Sequence, residues 1–227
     1  MGLSLRPVPV DDPHVAVEQR FLEEAVVPGA IVLEAGCGRT TRLAAFRDRI
    51  VLLVGVDADA AAGRENAALD EFWAGDLCAR LPFADAAFDL VYANFVVEHL
   101  AEPAAAFGEW RRVLRSGGEA VLLVSNVASP YLRAARLLPD RTRVGLKRAG
   151  AGAAEEDVFP AVYRANTPVR LESLMGAAGF ACVELRCVGT LHRYAGRRRL
   201  LRGLLGAAEA VLPERRRSTM VARFRAV

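Results

Sequence analysis

Cysteine is scarce. The 227 residues hold four, Cys37, Cys78, Cys182 and Cys187, and no two form a CxxC pair. Scattered thiols of this kind read as small buried residues in a reducing compartment, not as a disulfide framework or a metal centre. No uninterrupted apolar run approaches the roughly 18 residues that a bilayer span needs. The N-terminal MGLSLRPVPVDDPH lacks the basic-then-apolar pattern of a signal peptide. Gly2 is present, but Arg6 stands where myristoylation needs Ser or Thr. Excess charge of one sign is slight: 30 basic against 27 acidic residues leaves +3, which does not call for nucleic acid. No internal repeat or low-complexity tract is evident. The expectation from these absences is a cytoplasmic protein.

What is there is ordinary for a globular chain: 53% hydrophobic and 25% charged residues, at a length that suits one α/β domain with a sizeable core. Residues 1 to 13, with three prolines, read as an irregular lead-in. From His14 to Val27 the apolar Val15, Val17, Phe21, Leu22, Ala25 and Val26 interleave with charged residues as in an amphipathic helix, and Pro28-Gly29 stops it. Short apolar runs then alternate with helical patterns. Strands are expected at 31–35, 50–57, 71–76, 88–94, 119–125, 181–188 and 220–227, with helices at 41–49, 58–69, 96–100, 103–114, 167–178 and 197–212. This alternation predicts βαβ units, so a doubly wound, mostly parallel seven-stranded sheet with an antiparallel last strand. Residues 127–165 break the pattern and read as an insertion on the substrate side of a single domain spanning 1–227, partly helical near Tyr131 to Leu138.

The stretch AIVLEAGCGRTT, Ala30 to Thr41, organises the rest. An apolar strand ends in Glu34, and Gly36-Cys37-Gly38 make a turn where a ligand can approach the backbone closely. In such a sheet the ligand crevice lies at the carboxyl ends of the strands. Glu34, Gly36, Asp57, Asp76 and Asn94 all fall there. A nucleoside explains the spacing. Asp57, with Ala58 beside it, lies about 20 residues beyond the turn, where a carboxylate accepts both ribose hydroxyls. Asp76 can accept a hydrogen bond from an exocyclic adenine amine, and Leu77 and Phe95 can sandwich the base. A dinucleotide fingerprint needs a third glycine where Thr41 stands. Glu34 would repel a pyrophosphate and suits a positive amino group.

VLEAGCG, GVDAD, GDLCARLPFADAAFDLVYANFVVEHL and RRVLRSGGEAVLLV together resemble the motifs of class I S-adenosylmethionine-dependent methyltransferases of the small UbiE-like group. The resemblance covers about residues 20 to 126 closely and 167 to 188 more loosely. Thr40 departs from it, standing where many members have a third glycine. VFPAVYRANTP, 158–168, resembles a segment of bacterial members that accompany glycan or natural-product biosynthesis. The resemblance implies S-adenosyl-L-methionine as cofactor, held by Glu34, Gly36, Cys37, Gly38, Asp57, Ala58, Asp76, Leu77, Asn94 and Phe95, and methyl transfer to a small-molecule or glycan acceptor, at oxygen. His99, just after the fourth strand, is the candidate base, with Glu98 beside it. Tyr163, Arg164 and Asn166 are the candidate acceptor-binding residues. His14 and His192 are assigned structural or surface roles, and no metal is implied.

The basic C-terminal stretch 193–217 holds the amphipathic helix of 197–212, which can pack its leucines on the sheet edge, the favoured expectation, or rest on an anionic membrane surface, while its arginines can instead attract an acidic or phosphorylated substrate. Two rival functions remain: a non-catalytic cofactor-binding subunit, and an RNA methyltransferase that uses the basic helix. Nucleic acid is disfavoured, because Asn94-Phe95-Val96-Val97 is not the Asn/Asp-Pro-Pro-aromatic motif of enzymes that methylate base amino groups.

Overall fold

β1 (Ala30–Ala35), β2 (Ile50–Asp57), β3 (Glu71–Ala74), β4 (Phe88–Asn94), β5 (Leu114–Ser125), β6 (Phe180–Val188) and β7 (Thr219–Ala226) form one seven-stranded sheet of order β3-β2-β1-β4-β5-β7-β6 in a computed structural model of the chain. Residues 12–136, 161–195 and 198–227 are described. The lead-in before Asp12, most of the insertion and the start of the expected 197–212 helix lie outside them. β1 through β5 pair in parallel, and β7 runs antiparallel to both β5 and β6. The order reverses between β1 and β4. The carboxyl ends of those two strands therefore part around a crevice, the switch point where doubly wound sheets bind ligands.

The helices are α1 (Pro13–Ala25), α2 (Ala60–Glu65), α3 (Pro103–Val113), α4 (Pro130–Arg136), α5 (Pro168–Ala177) and α6 (Arg199–Ala210). One face of the sheet packs on α3 and α5 through Phe107, Trp110, Val113, Leu171 and Met175, all fully buried. Each such side chain is worth about 1.5–3 kcal/mol in removed apolar surface. The other face packs on α1 through Phe21, Leu22 and Ala25, against Val32, Leu90 and Tyr92. Thr167 caps α5 as its sequence indicates, its hydroxyl accepting from the Arg170 amide at 3.2 Å.

Three elements are shorter or differently placed than expected. The helix expected at 41–49 is a 3₁₀ turn, Arg42–Phe46, capped by Thr41. Its buried residues, Leu43 and Phe46, stand three apart, which is the 3₁₀ repeat. The helix expected at 58–69 ends at Glu65, because Asn66 turns its side-chain amide back onto the carbonyls of Cys37 and Gly38 at 3.1 and 3.3 Å. The strand expected at 119–125 starts earlier, at Leu114, so that Ser116-Gly117-Gly118, which as a sequence reads as the stop of the 103–114 helix, does not end α3. It lies inside β5, where the register against β4 shifts between Phe88 and Leu90 and Gly117 takes φ +75°.

α1 buries more than its apolar stripe. Glu18 is 1% exposed, accepts the Tyr92 hydroxyl and lies 3.2 Å from the Arg42 guanidinium. His14 is wholly buried, its Nδ1 2.6 Å from Asp12, with Arg193 3.3 Å from its other ring nitrogen. His14 and His192, which have no partner recognisable in sequence, thus meet Asp12 and Arg193 and tie the start of α1 to the turn after β6. Among the cysteines, Cys37 and Cys187 are buried as expected, whereas Cys78 is partly and Cys182 fully exposed.

Candidate active site

β1 delivers Glu34 to the crevice. In parallel register Glu34 lies beside Gly55 of β2 and Tyr92 of β4. The chain then turns sharply through Gly36 (φ +76°) and Gly38 (φ +48°). A Cβ on Gly36 would lie 2.3 Å from Val96 Cγ2, so the turn is held against the post-β4 segment with no room for a side chain. Asp57, at the end of β2, fixes the loop from below. Its two carboxylate oxygens accept from the amides of Gly38 and Asp59, each at 2.8 Å. Asp59 in turn caps α2 by accepting from Ala61 and Ala62. Asp76 accepts from the Cys78 amide at 2.8 Å, which curls the chain so that Leu77 faces inward.

Past β4, Phe95 takes φ +54°, a conformation rare for a bulky residue, with its amide donating to Leu123 O at 2.9 Å. Strained backbone of this kind concentrates at ligand sites. The 3₁₀ turn Val97–His99 follows and places His99 on the cleft wall. From across the insertion, the amides of Val162 and Tyr163 both donate to Glu98 O, at 2.8 and 3.0 Å, and bring Val162 to the same wall.

The result is one cleft of about 640 Å³, a size that suits a small organic ligand. Glu34, Gly36, Cys37, Gly38, Asp57, Ala58, Asp76, Leu77, Asn94, Phe95 and His99 all line it. Tyr163, Arg164 and Asn166 do not stand in the lining. Arg164 pairs with Glu102 at 2.7 Å on the surface. Asn166 is 1% exposed and donates to Ser125 O at 3.1 Å, so it anchors the end of β5. Val96, Leu100 and Val162 form an apolar wall that the sequence did not single out. The only available sequence signal for Val162 was its place in the segment 158–168.

Two buried oxygens on the cleft wall lack a hydrogen-bond partner among the described residues, Glu34 Oε2 and Asn94 Oδ1. Buried polar atoms are mostly paired, so each of these two has the capacity to accept from a donor on a ligand. Burial pushes the Glu34 carboxyl up to about 8, reinforced by Asp57 and Glu18 nearby and opposed by a hydrogen bond from Thr41. Burial likewise raises Glu18 to about 7 against the pull of Arg42 and Tyr92. A ligand cation at Glu34 offsets this burial cost.

The sign of the resulting pH dependence is fixed. A carboxyl raised in the fold binds more protons native than unfolded, so its contribution to stability is complete below its ordinary value of 4.5 and is lost as pH rises through about 8. Glu34→Gln is therefore expected to flatten the fall in melting temperature over that window, read by calorimetric scans of both proteins across it.

A glycine turn, a ring of acids at the strand ends and an inward apolar shelf together define a nucleoside-cofactor cleft in a doubly wound α/β protein. Residues 33–122 match the family model described as a methyltransferase domain. Over 122 residues the chain is 36% identical to a demethylmenaquinone methyltransferase of Roseiflexus sp. (strain RS-1), covering 52% of this chain and 51% of that protein. Over 105 residues it is 37% identical to a malonyl-[acyl-carrier protein] O-methyltransferase of Erwinia pyrifoliae, covering 44% and 40%. The chain thus spans about half the length, or less, of these curated relatives. Among solved structures, geranyl diphosphate C-methyltransferase from Streptomyces coelicolor A3(2), in complex with Mg²⁺, geranyl diphosphate and S-adenosyl-L-homocysteine, aligns with a TM-score of 0.62 at 14% identity, covering 93% of this chain and 77% of that one. That likeness is one of fold.

These matches make residues 33–122 similar to a methyltransferase domain, in agreement with the motifs that resemble the UbiE-like group of class I S-adenosylmethionine-dependent methyltransferases. The cofactor of that class is S-adenosylmethionine. The residues of the cleft fit it: the unpaired Glu34 Oε2 could take a cationic amino group, and Asp57, in the same lining, a ribose hydroxyl.

Proposed function

We propose that the protein transfers the methyl group of S-adenosylmethionine to an oxygen of a small molecule with an apolar body, of the kind met in glycan or natural-product biosynthesis. The observation that carries this reading is the convergence in one cleft of the full cofactor set with His99 and the apolar wall of Val96, Leu100 and Val162. Glu34, Gly36, Cys37 and Gly38 would hold the amino-acid tail, Asp57 and Ala58 the ribose, and Asp76, Leu77, Asn94 and Phe95 the adenine side. When bound, the cofactor supplies an electrophilic methyl group on sulfur. The protein's part is to orient the acceptor oxygen in line with it, an effect worth on the order of 7–11 kcal/mol. His99 takes the acceptor's proton. Two of the relatives act on a quinone precursor and a carrier-bound acid by name, which supports a small-molecule acceptor.

The test is release of S-adenosylhomocysteine on incubation with S-adenosylmethionine and pooled hydroxylated acceptors. A non-catalytic cofactor-binding subunit releases none. His99→Ala is expected to lower kcat by about 10²–10⁴-fold while leaving S-adenosylhomocysteine affinity unchanged. An unaltered kcat and pH profile would remove His99 from the reaction and leave orientation alone.

A further inference from the structure

The C-terminal helix leaves part of its apolar surface in solvent. The expectation from sequence put the apolar side of 193–217 on the sheet edge. In the structure Leu200 is 87% exposed, Leu204 68% and Val211 82%. Together with exposed Ala207 they stand at i, i+4, i+7 and i+11, one continuous stripe along α6. Leu201 and Leu205 are half-buried, and the residue that α6 buries most deeply is an acid. Glu209 is 1% exposed, and its carboxylate accepts from the amides of Leu191 at 2.7 Å and Ser218 at 2.9 Å. Gly189 lets the helix approach this closely, since a Cβ there would lie 2.8 Å from Glu209 Oε2. Tyr131 of α4 adds a hydroxyl bond to Ala208 O at 3.3 Å. The back of α6 is thus fixed to the chain ends that flank β6 and β7, on the carboxyl-end rim of the sheet, and Leu200 and Leu204 point outward.

Arginines surround this stripe. Arg198, Arg199, Arg202 and Arg216 are exposed and make no ion pair with any described residue. Arg215, also exposed, pairs with Glu172 at 2.5 Å. We propose that α6 seats the protein on an anionic membrane surface, with Leu200, Leu204 and Val211 in the acyl boundary and the exposed guanidinium groups on lipid headgroup phosphates. Apolar area and attraction to anionic headgroups are the two contributions that hold an interfacial helix. Charge selects this occupant over the alternatives. A second copy meeting the stripe about a two-fold axis would bring the same exposed arginines against each other. RNA would use the arginines and leave three large apolar side chains in water. A surface contact on the cleft's own rim suits an acceptor with an apolar body.

The test is co-sedimentation of the full chain with vesicles of phosphatidylcholine alone and of phosphatidylcholine mixed with phosphatidylglycerol, at low and high salt. Binding is expected to the anionic vesicles only, weakening with salt. Leu200→Asp with Leu204→Asp is expected to lower that binding by about tenfold or more without changing the circular dichroism spectrum or S-adenosylhomocysteine affinity, because both positions are exposed. Arg199→Gln with Arg202→Gln, equally exposed, is expected to abolish the preference for anionic lipid. Any of four results overturns the inference: no binding to either vesicle, equal binding to both, unchanged binding by the leucine variant, or self-association or RNA binding that the leucine variant abolishes while vesicles are never bound. Cofactor affinity reads the cleft separately, so a failure here leaves the proposed function standing.

Discussion

Asp57→Ala is expected to weaken S-adenosylhomocysteine binding by at least two orders of magnitude, measured by isothermal titration calorimetry. In the proposed function the Asp57 carboxylate has two jobs. It receives the amides of Gly38 and Asp59, and so fixes both the glycine turn and the entry to α2, and its remaining lone pairs face the cleft where the ribose is assigned. Hydrogen bonds to a charged group are worth about 1.5–3 kcal/mol each, and about 1.4 kcal/mol is a factor of ten. Loss of the ribose contacts alone predicts a hundredfold effect, before any loosening of the turn is counted. Asp57→Asn keeps the shape and one acceptor oxygen, and is expected to fall between wild type and alanine. Affinity unchanged in the alanine variant would refute the assignment of this acid.

Gly36→Ala should be the second severe change, felt in both stability and cofactor affinity. The new Cβ would meet Val96 Cγ2 at 2.3 Å on a backbone held at φ +76°. The left-handed conformation costs a non-glycine residue roughly 1–2 kcal/mol, and overpacking typically adds about 1–3 kcal/mol. For a chain of this size the melting temperature should drop by about 5 °C or more. Two controls separate the causes. Gly38 also has positive φ but open space around its Cβ position, so Gly38→Ala should cost less. Val96→Ala in the Gly36→Ala background relieves the clash and leaves the backbone term, so it should restore part of the stability. No restoration would show that the backbone conformation, not the contact with Val96, sets the requirement for glycine.

The frame of the cleft was legible because it depends on local signals. Apolar runs ending in Glu34, Asp57 and Asn94 mark parallel strands and put those residues at one rim, and the topology then gathers them. The convergence of all ten expected cofactor positions on one wall follows from that alone. The parts that were not legible depend on partners far apart in the chain. Glu18 looks like the polar side of α1 until Tyr92 and Arg42 come to meet it. Tyr163, Arg164 and Asn166 are the acceptor candidates of the sequence, whereas Val162, whose amide with that of Tyr163 donates to Glu98 O, is the residue of that segment in the cleft lining. α6 is the sharpest case. Its period does not show that Glu209 goes inward beside half-buried Leu201 and Leu205, because the amides of Leu191 and Ser218 that donate to it are brought there by the fold. Helical periodicity gives the width of a stripe, not the direction it faces.

The most direct test of the account is a crystal structure of the protein with S-adenosylhomocysteine. The account predicts the ribose hydroxyls on the Asp57 carboxylate, the adenine between Leu77 and Phe95 with its amine toward Asp76, and the amino group on Glu34 Oε2. A ligand bound elsewhere, or one in this cleft whose amino group turns away from Glu34 and whose ribose does not reach Asp57, would contradict it.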